Sequence, residues 1–284
     1  MSVPRERQRS GADLGPRVVV ALPAILFAVF IVVQGGEVFA LGLMLLGTVA
    51  MGELYTLMGR VRPAALAGFV TLAALLAAAL YGEPRHVIIV LVAAFPLTFF
   101  LALLRPRREH VSWAIAATLF GVFWIGLAMV HAIWLRELEM GQPDGETIVT
   151  GTGLLVNVLV GTFLGDTFAY FGGRWYGRTR ITPLISPNKT LEGLVAGIAG
   201  GTLAFWCAGL YQDWLTGWDA LLIGFLVAIV APLGDLFESL IKRDLEVKDT
   251  GRFFGPHGGV LDRLDAVFFT VPVAYYVALA LGYG

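Results

Sequence analysis

Nine stretches of about 20 predominantly apolar residues, the length an α-helix needs to cross a bilayer core about 30 Å thick, dominate this 284-residue chain. They fall at residues 18–34, 39–58, 64–81, 87–104, 111–135, 148–171, 194–211, 220–241 and 264–281. Backbone polar groups in hydrocarbon must be satisfied within the segment, so each stretch is predicted to be helical. The expected fold class is therefore all-α: a polytopic integral membrane protein with about nine transmembrane helices. Nine such helices use about 180 positions, which leaves short connections and no separate soluble domain. A composition of 57% hydrophobic and 14% charged residues excludes an ordinary water-soluble enzyme. Twenty Lys plus Arg against twenty-one Asp plus Glu give no basic field for nucleic acid, which is not an expected partner. The single cysteine, Cys207, lies in an apolar run and is expected to pack.

The connections alternate in charge. Arg5, Arg7, Arg9 and Arg17 precede the first stretch, which is long and lacks a small-residue cleavage site, so it is read as a retained helix. Arg60 and Arg62 follow the second stretch, Arg105, Arg107 and Arg108 the fourth, and Arg174, Arg178, Arg180 and Lys189 the sixth. Lys242, Arg243, Lys248 and Arg252 follow the eighth, whereas the odd-numbered exits carry Glu37, Glu83, acidic residues between 137 and 146, and Asp213 with Asp219. The positive-inside rule then makes the N-terminus and the basic loops cytoplasmic. Trp134, Trp214 and Trp218 fall near the expected interfaces.

The first five stretches read as scaffold, with Glu53 the exception: an intramembrane carboxylate that has either a structural or interfacial role or faces the bundle interior. His86, His110 and His131 are scattered and receive no role. Ionisable residues and glycines concentrate in the second half. Gly165-Asp166-Thr167-Phe168 places a carboxylate inside the sixth stretch, where it either serves a site or hydrogen-bonds a neighbouring helix. Ser186-Pro187-Asn188-Lys189-Thr190 precedes the seventh, with Ser186 and Pro187 in the order of an N-cap and first helical residue. Lys189 and Thr190 there read either as phosphate donors or as a capped helix start with a headgroup lysine. In the eighth stretch Asp235, Ser239 and Lys242, spaced by four and three, share one helical face beside Arg243. Glu238 either assists them or pairs with a base. Asp262 and Asp265 share a face at the start of the ninth. Gly165-Asp166-x-Phe168 and Gly234-Asp235-x-Phe237 hint at a duplicated half-site.

Asp166, Asp235, Asp262 and Asp265 are thus expected at similar depth, among cations. Carboxylate oxygens without Cys or clustered His suit Mg²⁺ rather than zinc. Acids that hold a metal and bases that hold phosphates are what a metal-bound nucleoside triphosphate requires. No Walker A sequence is present.

The 27 positions 239–265, running Ser239-Leu-Ile-Lys-Arg, Lys248-Asp249 and His257-Gly-Gly-Val-Leu-Asp262-Arg263-Leu-Asp265, resemble the signature of the phosphatidate cytidylyltransferases, or CDP-diacylglycerol synthases. The Gly-Asp-x-x-Ala-Tyr and Ser-Pro-x-Lys-Thr-x-Glu-Gly segments upstream resemble the same family, so the likeness covers about residues 161–265. Gly255-Pro256 stands where many members have Pro-Gly. The resemblance implies transfer of CMP from CTP to phosphatidic acid, giving CDP-diacylglycerol and pyrophosphate with Mg²⁺. It further implies Asp235, Asp262 and Asp265 as metal ligands and Asp166 as a further ligand or nucleotide contact. Lys189, Lys242, Arg243 and Arg263 would hold phosphates, Ser186, Thr190 and Lys248 would line the substrate, and Ser239 would donate to a phosphate or bind the metal through its oxygen. His257, Gly258 and Gly259 would form a loop over the nucleotide. Asp235, Asp262, Lys242 and Arg263 form the implied catalytic set. The family is also associated with a second cation such as K⁺ and with homodimers.

The expected organisation is a basic cytoplasmic tail at residues 1–16, a five-helix scaffold at 17–147 and a four-helix catalytic region at 148–284. The expected location is the cell inner membrane, in contact with membrane lipid and with the site facing the cytoplasm. Competing readings are a CTP-dependent lipid kinase, an ether-lipid cytidylyltransferase and a secondary transporter. Ionisable groups crowded at one face disfavour the transporter.

Overall fold

The computed structural model describes residues 14–105, 110–141, 147–251, 253 and 258–284. Arg5, Arg7, Arg9, Arg107, Arg108, Arg252, the Gly255-Pro256 turn and His257 lie outside the described residues.

Helix α1 (Leu14–Gln34) is followed almost directly by α2 (Gly36–Leu57). The break between them is Gly35, at φ 65°, a left-handed conformation that ends one helix and redirects the chain. Helices α3 (Ala65–Tyr81) and α4 (Pro84–Leu103) come next, α4 starting on a Glu83–His86 capping box with proline in its first turn. The fifth apolar stretch is one continuous rod of α5 (Val111–Gly121), a π-turn at Val122–Gly126 and α6 (Leu127–Arg136). The π-turn carries Trp124, whose ring meets Phe237 edge-on at 4.9 Å and Phe268 at 6.2 Å. The first half of the chain is wedged against the second there.

The ribbon β1 (Glu139–Gly141) and β2 (Thr147–Val149) leads to α7 (Gly151–Tyr176). A second ribbon, β3 (Arg180–Thr182) with β4 (Ser186–Thr190), leads to α8 (Leu191–Gly209). The last elements are α9 (Gly217–Asp244), α10 (Leu261–Leu264) and α11 (Val267–Ala280). Among the described residues seven helices are long and apolar enough to cross a membrane, the last running Leu261–Ala280. Leu22–Gln34 and Ala65–Tyr81 are apolar but shorter.

Three sequence expectations are corrected. The chain is helical in its apolar stretches but adds two antiparallel ribbons. Ser186 and Pro187 do not start a helix: proline holds its predecessor extended, Ser186 pairs with Thr182 in the ribbon, and Thr190 is the N-cap, its Oγ1 accepting the Gly193 amide at 3.2 Å. Cys207 does not pack inside but is exposed on α8.

Helices α7 and α8 pack backbone to backbone. Gly193, Gly197 and Gly201 recur every four residues and form one small-residue face. A Cβ on Gly193 would lie 2.8 Å from the Ala169 carbonyl, on Gly197 3.1 Å from that of Gly165, and on Gly201 2.9 Å from that of Gly161. The two backbones therefore touch along three successive turns. At the far end of the bundle Tyr283 donates to Asp219 at 2.6 Å while its carbonyl accepts from Thr150 at 3.0 Å, which ties the starts of α7 and α9 to the end of the chain.

Replacing Gly197 by Leu should force α7 and α8 apart and destabilise the protein by about 1–3 kcal/mol. A thermal melt in detergent should show a lowered midpoint, and an unchanged midpoint would mean the two backbones do not meet there.

Candidate functional site

Where α7, α8, α9 and α10 meet at one end of the bundle, carboxylates and ammonium groups gather. Helix α9 comes close because Gly234 has no side chain: a Cβ there would lie 2.8 Å from the Ala266 Cα. The next residue, Asp235, is thereby brought beside Asp265. The ligand oxygens of Asp235, Glu238 and Asp265 all lie within 4.8 Å of one another. Glu238 is only 1% exposed and Asp265 9%, so two of the three acids are taken out of solvent.

The lysines answer these acids. Lys242, one turn beyond Glu238 on α9, bonds Glu238 Oε2 at 2.5 Å and Asp262 Oδ1 at 2.9 Å, and so bridges α9 to α10. Lys189, at the end of β4, pairs with Asp235 Oδ2 at 2.7 Å, and Ser239 donates to Asp235 Oδ1 at 3.3 Å. The second oxygen of Asp262 accepts three bonds, from the Thr250 amide at 3.0 Å, the Thr250 hydroxyl at 2.8 Å and the Gly259 amide at 2.8 Å. Asp166, exposed on α7, is in Coulombic range of Asp235, Asp265 and Lys189. The two Gly-Asp segments thus deliver their carboxylates to one place. They differ beyond that, since Phe237 packs on Trp124 while Phe168 is exposed.

The remaining sequence candidates spread around this core. Arg243 is exposed and donates to the Ile185 carbonyl at 3.1 Å, which ties the ribbon turn to α9. Thr190 caps α8, Ser186 is half-buried in β4, and Lys248 and Arg263 are exposed. Gly258 and Gly259 are buried in the turn that wraps Asp262, with Gly258 at φ 83°.

Do these residues fit a metal? Glu238 Oε1 is buried and without a hydrogen-bond partner among the described residues, although its other oxygen is bonded to Lys242. A buried carboxylate oxygen left unpaired is costly, and a cation shared with Asp235 and Asp265 would satisfy it. Among the described residues Asp166, Asp235, Glu238, Asp262 and Asp265 gather in this region with Lys189 and Lys242, an oxygen-rich donor set that suits a hard divalent cation. The donor set of Asp235, Glu238 and Asp265 therefore fits a hard divalent cation such as Mg²⁺, whereas Asp262 lies outside this group, its oxygens taken by Lys242, Thr250 and Gly259. The four-residue spacing from Glu238 to Lys242 was visible in the sequence, but the position of its second oxygen was not.

A family profile described as the Cytidylyltransferase family matches residues 15–281, nearly the whole chain. The chain belongs to the cytidylyltransferase family. Three relatives bear the name phosphatidate cytidylyltransferase. That of Synechocystis is 36% identical over 219 residues, covering 66% of this chain and 71% of the relative. That of Aquifex aeolicus is 33% identical over 186 residues, covering 66% of each. That of Staphylococcus epidermidis is 30% identical over 264 residues and covers 90% of this chain and 96% of the relative.

In this cytidylyltransferase-family chain Lys242 pairs with two poorly exposed acids, so Lys242→Met should remove that counter-charge from both. The expected loss is about 3 kcal/mol of stability. Adding Glu238→Gln to Lys242→Met should restore part of it, a non-additivity that a double-mutant cycle of thermal unfolding reads directly.

Proposed function

We propose that this chain transfers CMP from CTP to phosphatidic acid, forming CDP-diacylglycerol and pyrophosphate in phospholipid synthesis. The observation that carries the reading is the meeting of Asp235, Glu238 and Asp265 beside Lys189 and Lys242, in a chain whose relatives are named for that reaction. An oxygen of the lipid phosphate forms a bond to the α-phosphorus of CTP as the bridging P–O bond to the β-phosphate breaks. Its electron pair leaves with pyrophosphate. The attacking phosphate is already ionised near neutral pH, so positioning and charge neutralisation suffice and no strong base is needed.

Asp235, Glu238 and Asp265 would hold Mg²⁺, with Asp166 at the edge of the set. When bound, the ion supplies positive charge to the triphosphate oxygens. Lys189 exchanges Asp235 for a phosphate and Lys242 exchanges Glu238 while keeping Asp262, and Arg263, Arg243 and Lys248 extend the positive surface towards the solvent. Asp262 keeps Lys242, Thr250 and Gly259 in place through its four bonds. Nine crossings, with Leu22–Gln34 and Ala65–Tyr81 also inserted, would put the N-terminus, the basic connections and the site on the cytoplasmic side of the inner membrane. The basic character of Arg60, Arg62, Arg105, Arg174, Arg178 and Arg180 at the site end supports that orientation, as does the cytosolic location of CTP.

The test is product formation by the purified full-length protein from labelled CTP and phosphatidic acid in mixed micelles. Labelled CDP-diacylglycerol should form, stop on chelation and resume with added Mg²⁺. Asp265→Asn should lower turnover by about 100-fold with the protein still folded. A wild type that makes no cytidylated lipid with any divalent ion would overturn the reading.

A further inference from the structure

Glu53 is a carboxylate inside an apolar helix, far from the acids of the site in sequence and with no part in the chemistry just described. Its two oxygens are not idle. Oε1 accepts the Val260 amide at 3.1 Å and Oε2 accepts the Leu261 amide at 2.9 Å, so one side chain of α2 takes up two consecutive N–H groups at the start of α10. The turn is shaped around it. A Cβ on Gly251 or on Gly259 would collide with the Glu53 carboxylate, so both glycines lie against it. The Gly259 amide, the next donor upstream, goes to Asp262 instead. Three successive amides are thus shared between an acid of the first half of the chain and an acid of the second.

Resting on the activity proposed above, we infer that Glu53 is a positioning residue: it fixes the backbone from which Asp262 and Asp265 project, and so couples the N-terminal scaffold to the ion-binding geometry. A carboxylate presents two acceptors to two converging N–H groups. Glutamine presents one acceptor and turns its own N–H₂ against the other donor. Glu53→Gln therefore keeps the shape and breaks the latch. The direct consequence is a looser turn at residues 258–261, and the indirect one a weaker hold on the cation, since supporting bonds around a metal site are worth about 10–100-fold in affinity or activity.

The experiment compares full-length wild type, Glu53→Gln and Gly251→Ala in lipid nanodiscs by hydrogen exchange of the Val260 and Leu261 amides, alongside the Mg²⁺ concentration for half-maximal activity. In Glu53→Gln those two amides should exchange at least about tenfold faster and the half-maximal Mg²⁺ concentration should rise about 10-fold or more. The KM for CTP measured at saturating Mg²⁺ should change much less. Gly251→Ala, whose Cβ would displace the same carboxylate at Oε1, should reproduce both effects, and the double variant should be no worse than the more damaged single. Unchanged exchange, or faster exchange with an unchanged Mg²⁺ requirement, would overturn the inference. An inactive wild type would instead sink the activity it rests on, while the exchange result would still report on the latch.

Discussion

Charge in a low-dielectric setting must be paired or neutralised, and that constraint organises the site end of this chain. Asp235, Glu238, Asp262 and Asp265 sit at the ends of largely apolar membrane-length segments, where a carboxylate needs a partner. Lys242 answers two acids on two different elements, and Lys189 answers a third from the end of a ribbon. These bonds do more than neutralise. They hold α9, α10 and β4 in one arrangement and leave one buried oxygen of Glu238 without a hydrogen-bond donor among the described residues.

Close helix packing makes the pairing reachable. Asp235 stands beside Asp265 because Gly234 lets α9 sit against the α10–α11 corner, and Asp166 comes near because α7 lies backbone to backbone against α8. The Gly-Asp pairs are thus two statements in one: the first residue brings the helix in, and the second supplies the charge. The far end, tied through Tyr283, Asp219 and Thr150, keeps the same helices from splaying where no ions gather.

Much of this was legible in the residues alone. Hydropathy located the apolar helices to within a few positions, and the spacing of Asp235, Ser239 and Lys242 put them on one face, because helical period and burial are local properties of sequence. What escaped depends on contacts between distant segments. The ribbon that holds Ser186 and Pro187 exists because Thr182 and Arg180 pair with it, and the helix start moved to Thr190 as a result. The run Gly193, Gly197, Gly201 carried a four-residue signal that could have marked a packing face, but which helix it met was not written there. Glu238 and Glu53 were both visible as unusual acids. Only their partners say what each does: Lys242 and the neighbouring acids for Glu238, and the amides at the start of α10 for Glu53.

The bond between Glu53 and the Val260 amide spans 207 positions, and this has a consequence for how the protein is made. At a synthesis rate of about 5–20 residues per second, α2 is in place roughly ten to forty seconds before its acceptors are met by the turn that needs them. For that interval a carboxylate waits in or beside the bilayer with its native donors not yet made. The nascent first half must shelter it, at the membrane edge, with water or with the insertion machinery. The site is then completed in a single late event, when residues 258–261 arrive and dock on an acid set down near the beginning.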